Sequence, residues 1–199
     1  DFMVKTPVRE IRGFDGDVYH VHNAYRSPGK LDDSDLDQAK AHVYQTRYDN
    51  FREGLFLHHK RIDRHCAEDI AGATFAFVCV DKGSARAEIF ELLIELGIPF
   101  IDVGMGLNRK QGPLSGTLRA TYFPVGEAEK VRAMNWVEFA NHPDDQYRQN
   151  IQISELNALN AAIAVLRYKQ ARGFYLGSGG AHHAILETSV LRLLTEGMA

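Results

Sequence analysis

The sequence predicts an α/β domain: an open, largely parallel sheet with helices on both faces. Two stretches carry this expectation. The run TFAFVCV, residues 74–80, is almost unbroken apolar and β-prone, the pattern of a strand buried on both faces. It is followed by the helical stretch SARAEIFELLIELG, which Gly97 stops, and then by a second apolar run, IPFIDVGMG. Strand, crossover helix and strand in that order make a β-α-β unit, whose ligands bind beyond the carboxyl ends of the strands. Asp15, after EIRGF, and Asp81, after TFAFVCV, fall at such ends.

Taken in order, DFMVKT reads as the tail of a helix stopped by Pro7, and EIRGFD as a short strand. After the Pro28-Gly29 break, residues 34–53 read as a helix opened by Ser34 as its cap. LFLHHKRI follows as a strand and CAEDIAGA as a short helix or turn, ahead of the β-α-β unit. Beyond that unit, GPLSGTLRATYF reads as a strand. Residues 147–172 read as a long helix with Ile153, Leu156, Leu159, Ile163 and Leu166 at helical spacing. GSGGAHHA reads as a flexible connector, and the last dozen residues favour no element. The expected organisation is one domain over residues 1–172, with 173–199 as an extension of that domain.

Composition narrows the function classes. The 23 Lys and Arg against 26 Asp and Glu give a formal charge of −3, so no global basic field recruits nucleic acid or a membrane surface. Any bound anion must be held locally. Two cysteines in 199 residues argue against a disulfide scaffold, and no apolar run approaches the roughly 18 residues a spanning helix needs. A reducing cytoplasm is the default compartment. Cys79 reads as a small hydrophobe inside its strand, and Cys66 has no evident activator. The histidines of HHKRIDRHC, and the pair His20 and His22, match no recognised metal-ligand spacing.

The stretch FDGDVYHVHNAYRSPG, residues 14–29, is where chemistry concentrates. In nucleotide-binding sheets an acidic residue about 20 positions after a glycine-rich loop hydrogen-bonds the ribose hydroxyls. Counting back that far from Asp15 runs past Asp1, so the glycine loop and first strand are expected upstream. A plain Asp-Gly turn accounts for the motif equally well.

Together with Lys40 in DQAKAHVYQ, FVCVDKGSAR and PFIDVGMG, this stretch resembles the ThiF/MoeB-type adenylyltransferase family, which has the ubiquitin-activating-enzyme-like, Rossmann-like fold. Asp15 stands first, Asn23 and Arg26 lie eight and eleven residues beyond it, Lys40 is within one residue of the family position, and Asp81 with Arg86 fits the last element. SPG is similar to a bacterial ThiF-like branch. The resemblance covers roughly residues 1–170, and its specificity lies in the ordered set rather than in any one piece.

The resemblance implies ATP-dependent adenylation of a carboxylate, commonly the C-terminal glycine of a ubiquitin-like or sulfur-carrier protein, by a homodimer. It assigns Asp15 to the ribose hydroxyls and Asn23, Arg26 and Lys40 to the phosphates. Asp81 would hold Mg²⁺, and Arg86 would orient Asp81 or cover the sheet. The chemistry is consistent, because a carboxylate approaching a triphosphate needs positive charge and in-line positioning. Lys30 competes with Lys40 for the phosphate role. The chain departs from the family in having no cysteine after Cys79 and no paired C-x-x-C motifs, so adenylation without thioester transfer is expected. A catalytically silent scaffold, an NAD-dependent oxidoreductase and an enzyme acting on modified tRNA stay open as rivals.

Overall fold

The computed structural model describes residues 1–30, 32–108, 112–140, 153–177 and 179–198. It divides into two compact units, Asp1–Ile62 with Gln149–Ala158, and Asp63–Arg148 with Leu159–Ala199.

In the first unit a 3₁₀ turn at Met3–Lys5 leads to strand β1 (Ile11–Phe14), which pairs in parallel with β2 (Leu55–His58). Between them lie a four-residue helix α1 (Val21–Ala24), a 3₁₀ turn at Asp33–Asp35 and helix α2 (Lys40–Tyr48). The sequence places the start of α2 at Ser34; the structure moves it to Lys40. Residues 37–40 are pinned to 17–19 by three backbone bonds, Tyr19 N to Gln38 O, Asp37 N to Tyr19 O and Lys40 N to Asp17 O. Asp37 has φ 61°, so the helical conformation cannot begin before it. This small antiparallel clamp, with Val18 bridged to Ala39, overrides local propensity.

The second unit is built on a five-stranded sheet in the order β3-β4-β5-β6-β7. β3 (Ala76–Val78) and β4 (Phe100–Asn108) are parallel and joined by α4 (Gly83–Glu95), which confirms the β-α-β unit. Gly97 ends the helix in the left-handed region at φ 63°. The α/β class holds: β1–β2 and β3–β4 are parallel pairs, and the five-stranded sheet is mixed. β5 (Ser115–Phe123), β6 (Ala181–Glu187) and β7 (Arg192–Gly197) add antiparallel pairs beyond β4. The segment read as the connector GSGGAHHA therefore enters a strand, with His182 and His183 buried in the sheet.

Short helix α3 (Ala67–Ile70) precedes β3, and α5 (Ala128–Ala133) follows β5. On one face of the sheet Phe90 of α4 and Val131 of α5 pack on Val78, Phe100 and Phe123; Phe90 has no exposed surface. Its ring meets those of Phe100 and Phe123 at 4.6 and 4.9 Å, edge to face. On the other face Tyr168 of α6 (Ser154–Ala171) lies 5.6 Å from Phe77. The apolar stripe of α6 is not the one its leucines spell. Leu159 and Leu166 are exposed, while Asn160, Ile163 and Ala164 are buried. Asn160 is held there by its Nδ2, which donates to the Gly104 carbonyl at 3.0 Å, while its Oδ1 is buried without a hydrogen-bond partner among the described residues. The expected part of this helix over 147–152 lies outside the described residues. Among the described residues no helix is long and apolar enough to cross a membrane.

Candidate functional site

In the first unit, beyond the carboxyl end of β1, a cleft of about 260 Å³ is lined by Asp15, Tyr19, Asn23, Arg26, Ser27, Pro28, Lys40, Tyr44 and Asn157. Four of the five residues singled out in the sequence thus share one cavity. Asp15 leaves β1 exposed, and its Oδ1 accepts from the Asp17 N–H at 2.8 Å. The Asp-Gly turn and the cleft wall are therefore one and the same feature. Asn23 is buried in α1, where its Oδ1 accepts the His20 N–H at 2.8 Å and leaves Nδ2 uncommitted among the described residues. Arg26, just past α1, is exposed and forms no ion pair within the described residues.

Lys40 is the first residue of α2, where the helix dipole disfavours a cation. Asp17 offsets this: its Oδ2 lies 3.1 Å from Lys40 Nζ, and the bond to Lys40 holds the Asp17 carboxyl below the usual carboxylate range. The second aspartate of FDGD thus acts on Lys40 as its counter-ion. Lys30 pairs with Asp32 at 2.5 Å on an exposed loop and does not line the cleft. His22 reports the local field. Partial desolvation first, then the positive charges of Arg26, His20 and Lys40, hold its imidazole below the ordinary range. An acidic chain thus builds one basic corner.

The loop between α1 and α2 is fastened by Arg47 from the second half of α2. Its Nη1 donates to the Pro28 carbonyl at 3.1 Å and its Nη2 to Asp35 at 2.9 Å. Its guanidinium lies over the rings of Tyr19 and Tyr44 at 5.4 and 5.2 Å. Tyr44 in turn donates its hydroxyl to Ser27 Oγ at 2.9 Å. Sequence reasoning takes Ser27 only as part of SPG and does not single out Tyr19, Tyr44 or Asn157. Nothing marks them there except the aromatic spacing of α2 and the asparagines of α6.

Asp81 belongs to the second unit. It follows β3 at the mouth of α4, is exposed, and makes no hydrogen bond or ion pair with another described residue. Arg86 does not bind it. Its Nη2 donates to the carbonyl of Val80, the residue before Asp81, at 2.5 Å; Nη1 reaches Glu138 O and Nε reaches Asp102, both at 3.0 Å. Arg86 thereby fixes the backbone that presents Asp81. Asp102 is fully buried, and Arg119 Nη2 stands 2.7 Å from its other oxygen. Burial pushes this carboxyl up, and the Arg119 and Arg86 guanidiniums pull it back. Gly104 leaves the space that Arg119 crosses, since a Cβ there would strike the guanidinium. The network runs on through Thr121 to His183 Nδ1 at 2.9 Å, whose ring stacks on Trp136.

Cys79, expected to be buried, is open to solvent at the end of β3. Desolvation, then the charge of Asp102, push its thiol up, by less than full burial would because the side chain is open to solvent. At neutral pH it is protonated and a poor nucleophile.

No family model matches the sequence, and no curated protein matches it. Solved structures match the fold. The crystal structure of PaaA superposes with a TM-score of 0.61 at 16% identity, over 94% of this chain and 55% of that one. Escherichia coli MccB with ATP gives 0.66 at 13% identity, over 96% and 56%. MccB with MccA-N7isoASN gives 0.66 at 12% identity, over 96% and 57%. The chain therefore spans little more than half the length of each, and shares with them the Rossmann-like α/β fold.

Proposed function

We propose that the protein is an ATP-dependent adenylyltransferase that activates a carboxylate and releases pyrophosphate. The observation that carries this reading is the gathering of Asp15, Asn23, Arg26 and Lys40 in one cleft beyond the carboxyl end of a parallel strand. Its support from outside the chain is the shared fold with MccB, solved with ATP.

In this reading Asp15 accepts hydrogen bonds from the ribose hydroxyls. Asn23 Nδ2 and the Arg26 fork bind phosphate oxygens, and Lys40, shared with Asp17, adds a compact charge. The substrate carboxylate oxygen attacks the α-phosphorus while the bond to the bridging oxygen breaks, and the charge leaves with pyrophosphate. Positive side chains fixed before the reaction stabilise that shift of charge. Asp81, a strand-end carboxylate with no partner among the described residues, fits Mg²⁺, which when bound would neutralise phosphate charge. The substrate class we propose is the C-terminal carboxylate of a peptide or protein, a ubiquitin-like or sulfur-carrier protein among them. A protonated Cys79 fits activation without thioester formation.

The test is carboxylate-dependent exchange of labelled pyrophosphate into ATP by the full-length protein. Arg26→Ala is expected to lower kcat/KM on the order of 100-fold, and Asp81→Ala by at least as much, with unchanged circular dichroism. Full exchange in both variants would remove the assignment. ATP binding without exchange would favour the scaffold reading, and reduction of NAD without ATP the oxidoreductase.

A further inference from the structure

At the far end of the second unit's sheet, β7 is an edge strand bonded to β6 alone. All six of its residues are exposed, and its outer row of backbone N–H and C=O groups has no strand partner among the described residues. Edges of this kind are templates for another strand unless a bulge or repelling charge blunts them. No bulge interrupts this one. The irregularity in the pairing falls between Ala181 and His183 of β6, so β7 itself runs regularly from Arg192 to Glu196. It also carries exposed Leu193 and Leu194 on its two faces.

The charges of β7 do not repel a second β7; they are complementary to it. Arg192, Leu194 and Glu196 share one face, at every second position. If a second copy of β7 is laid antiparallel about a two-fold axis through Leu194, Arg192 of each strand meets Glu196 of the other, and the two Leu194 side chains meet between them. Neither Arg192 nor Glu196 makes an ion pair with another described residue. We propose that β7 pairs edge to edge with β7 of a second copy of this chain, joining two five-stranded sheets. The resemblance implies a dimer but names no surface. This assignment comes from the strand and does not depend on the adenylation reading.

A stable interface buries roughly 800 Å² on each partner, more than a six-residue edge supplies, so the association is expected to be reversible, with a Kd on the order of 10–100 µM. Opposite and like charges directly across a ladder differ enough that one reversal, changing both symmetric pairs, weakens it on the order of tenfold.

The experiment is sedimentation equilibrium of the full-length protein with Arg192→Glu, Glu196→Arg and their mixture. Each single variant puts like charges across the axis and is expected to be more monomeric than wild type. Mixed, the two variants restore opposite charges at both crossings: the introduced glutamate faces the introduced arginine, and the retained Glu196 of one chain faces the retained Arg192 of the other. A heterodimer of wild-type affinity is expected. The double reversal in one chain is expected to self-associate as wild type does. The proposal fails if wild type is monomeric at about 200 µM, a concentration above the expected Kd range. It fails equally if both single variants dimerise as wild type does, since another surface then holds the copies, or if the mixture gains nothing over its components.

Discussion

At the scale of single residues, two side chains test the electrostatics directly. His22 is held below its ordinary range by desolvation and by the charges of Arg26, His20 and Lys40. Because the folded protein binds that proton less well than the unfolded chain, the protonated form costs stability as pH falls below about 6.5, the unfolded value. A polyphosphate in the cleft would cancel the neighbouring charge. The His22 Cε1–H titration followed by NMR is therefore expected to move to higher pH on adding ATP or tripolyphosphate. An unmoved curve would place the anion elsewhere. Asp102 is the second case, enclosed by two guanidiniums at 3.0 and 2.7 Å. Asp102→Asn leaves both cations without a counter-charge in the interior and is expected to cost about 3–5 kcal/mol in urea unfolding. Asp15, Asn23, Arg26 and Lys40 are legible in the sequence because their order and spacing survive in one dimension. Asp17 is not legible as Lys40's partner, because the 23 positions between them close only when residues 17–19 pair with 37–40.

At the scale of elements, the β-α-β unit is readable because apolar runs and a glycine stop are local signals. Gly97 sits at φ 63° with nothing within 4 Å of where a Cβ would stand, so Gly97→Ala carries backbone strain without a clash. It is expected to lower stability by about 1 kcal/mol, read as a fall in the urea midpoint with the slope unchanged. The elements that escape sequence reasoning are those decided by distant partners. Helix α2 loses its first turn to the clamp on Val18. His182 and His183 look like part of a glycine-rich linker, yet they sit between β5 and β7, where Thr121 satisfies one imidazole and Glu127 lies 3.6 Å from the other. Helix α6 buries Asn160 in preference to Leu159, a choice visible only once the Gly104 carbonyl is in place to receive it. Strand β7, in which apolar and polar residues are mixed on both faces, offers no pattern to read because neither of its faces is buried.

At the scale of the molecule, the net charge of −3 and the basic corner of the first unit act over different distances. The overall charge does not draw polyanions from solution, so recognition rests on side chains within a few ångströms. Fold likeness extends over nearly the whole chain, yet it takes in only 55–57% of PaaA and MccB. Activity is thus to be measured on the full-length protein. The salt bridge between Asp17 and Lys40 has one more consequence. Before any guest arrives, the lysine is already engaged, and a newcomer gains only the difference between its own attraction and that of the resident carboxylate. Chloride or a single phosphate offers little beyond what Asp17 supplies. In the adenylation reading a triphosphate, reaching Arg26 and Lys40 at once, is expected to displace Asp17 where a singly charged ion would not, so the cleft would sort anions by valence.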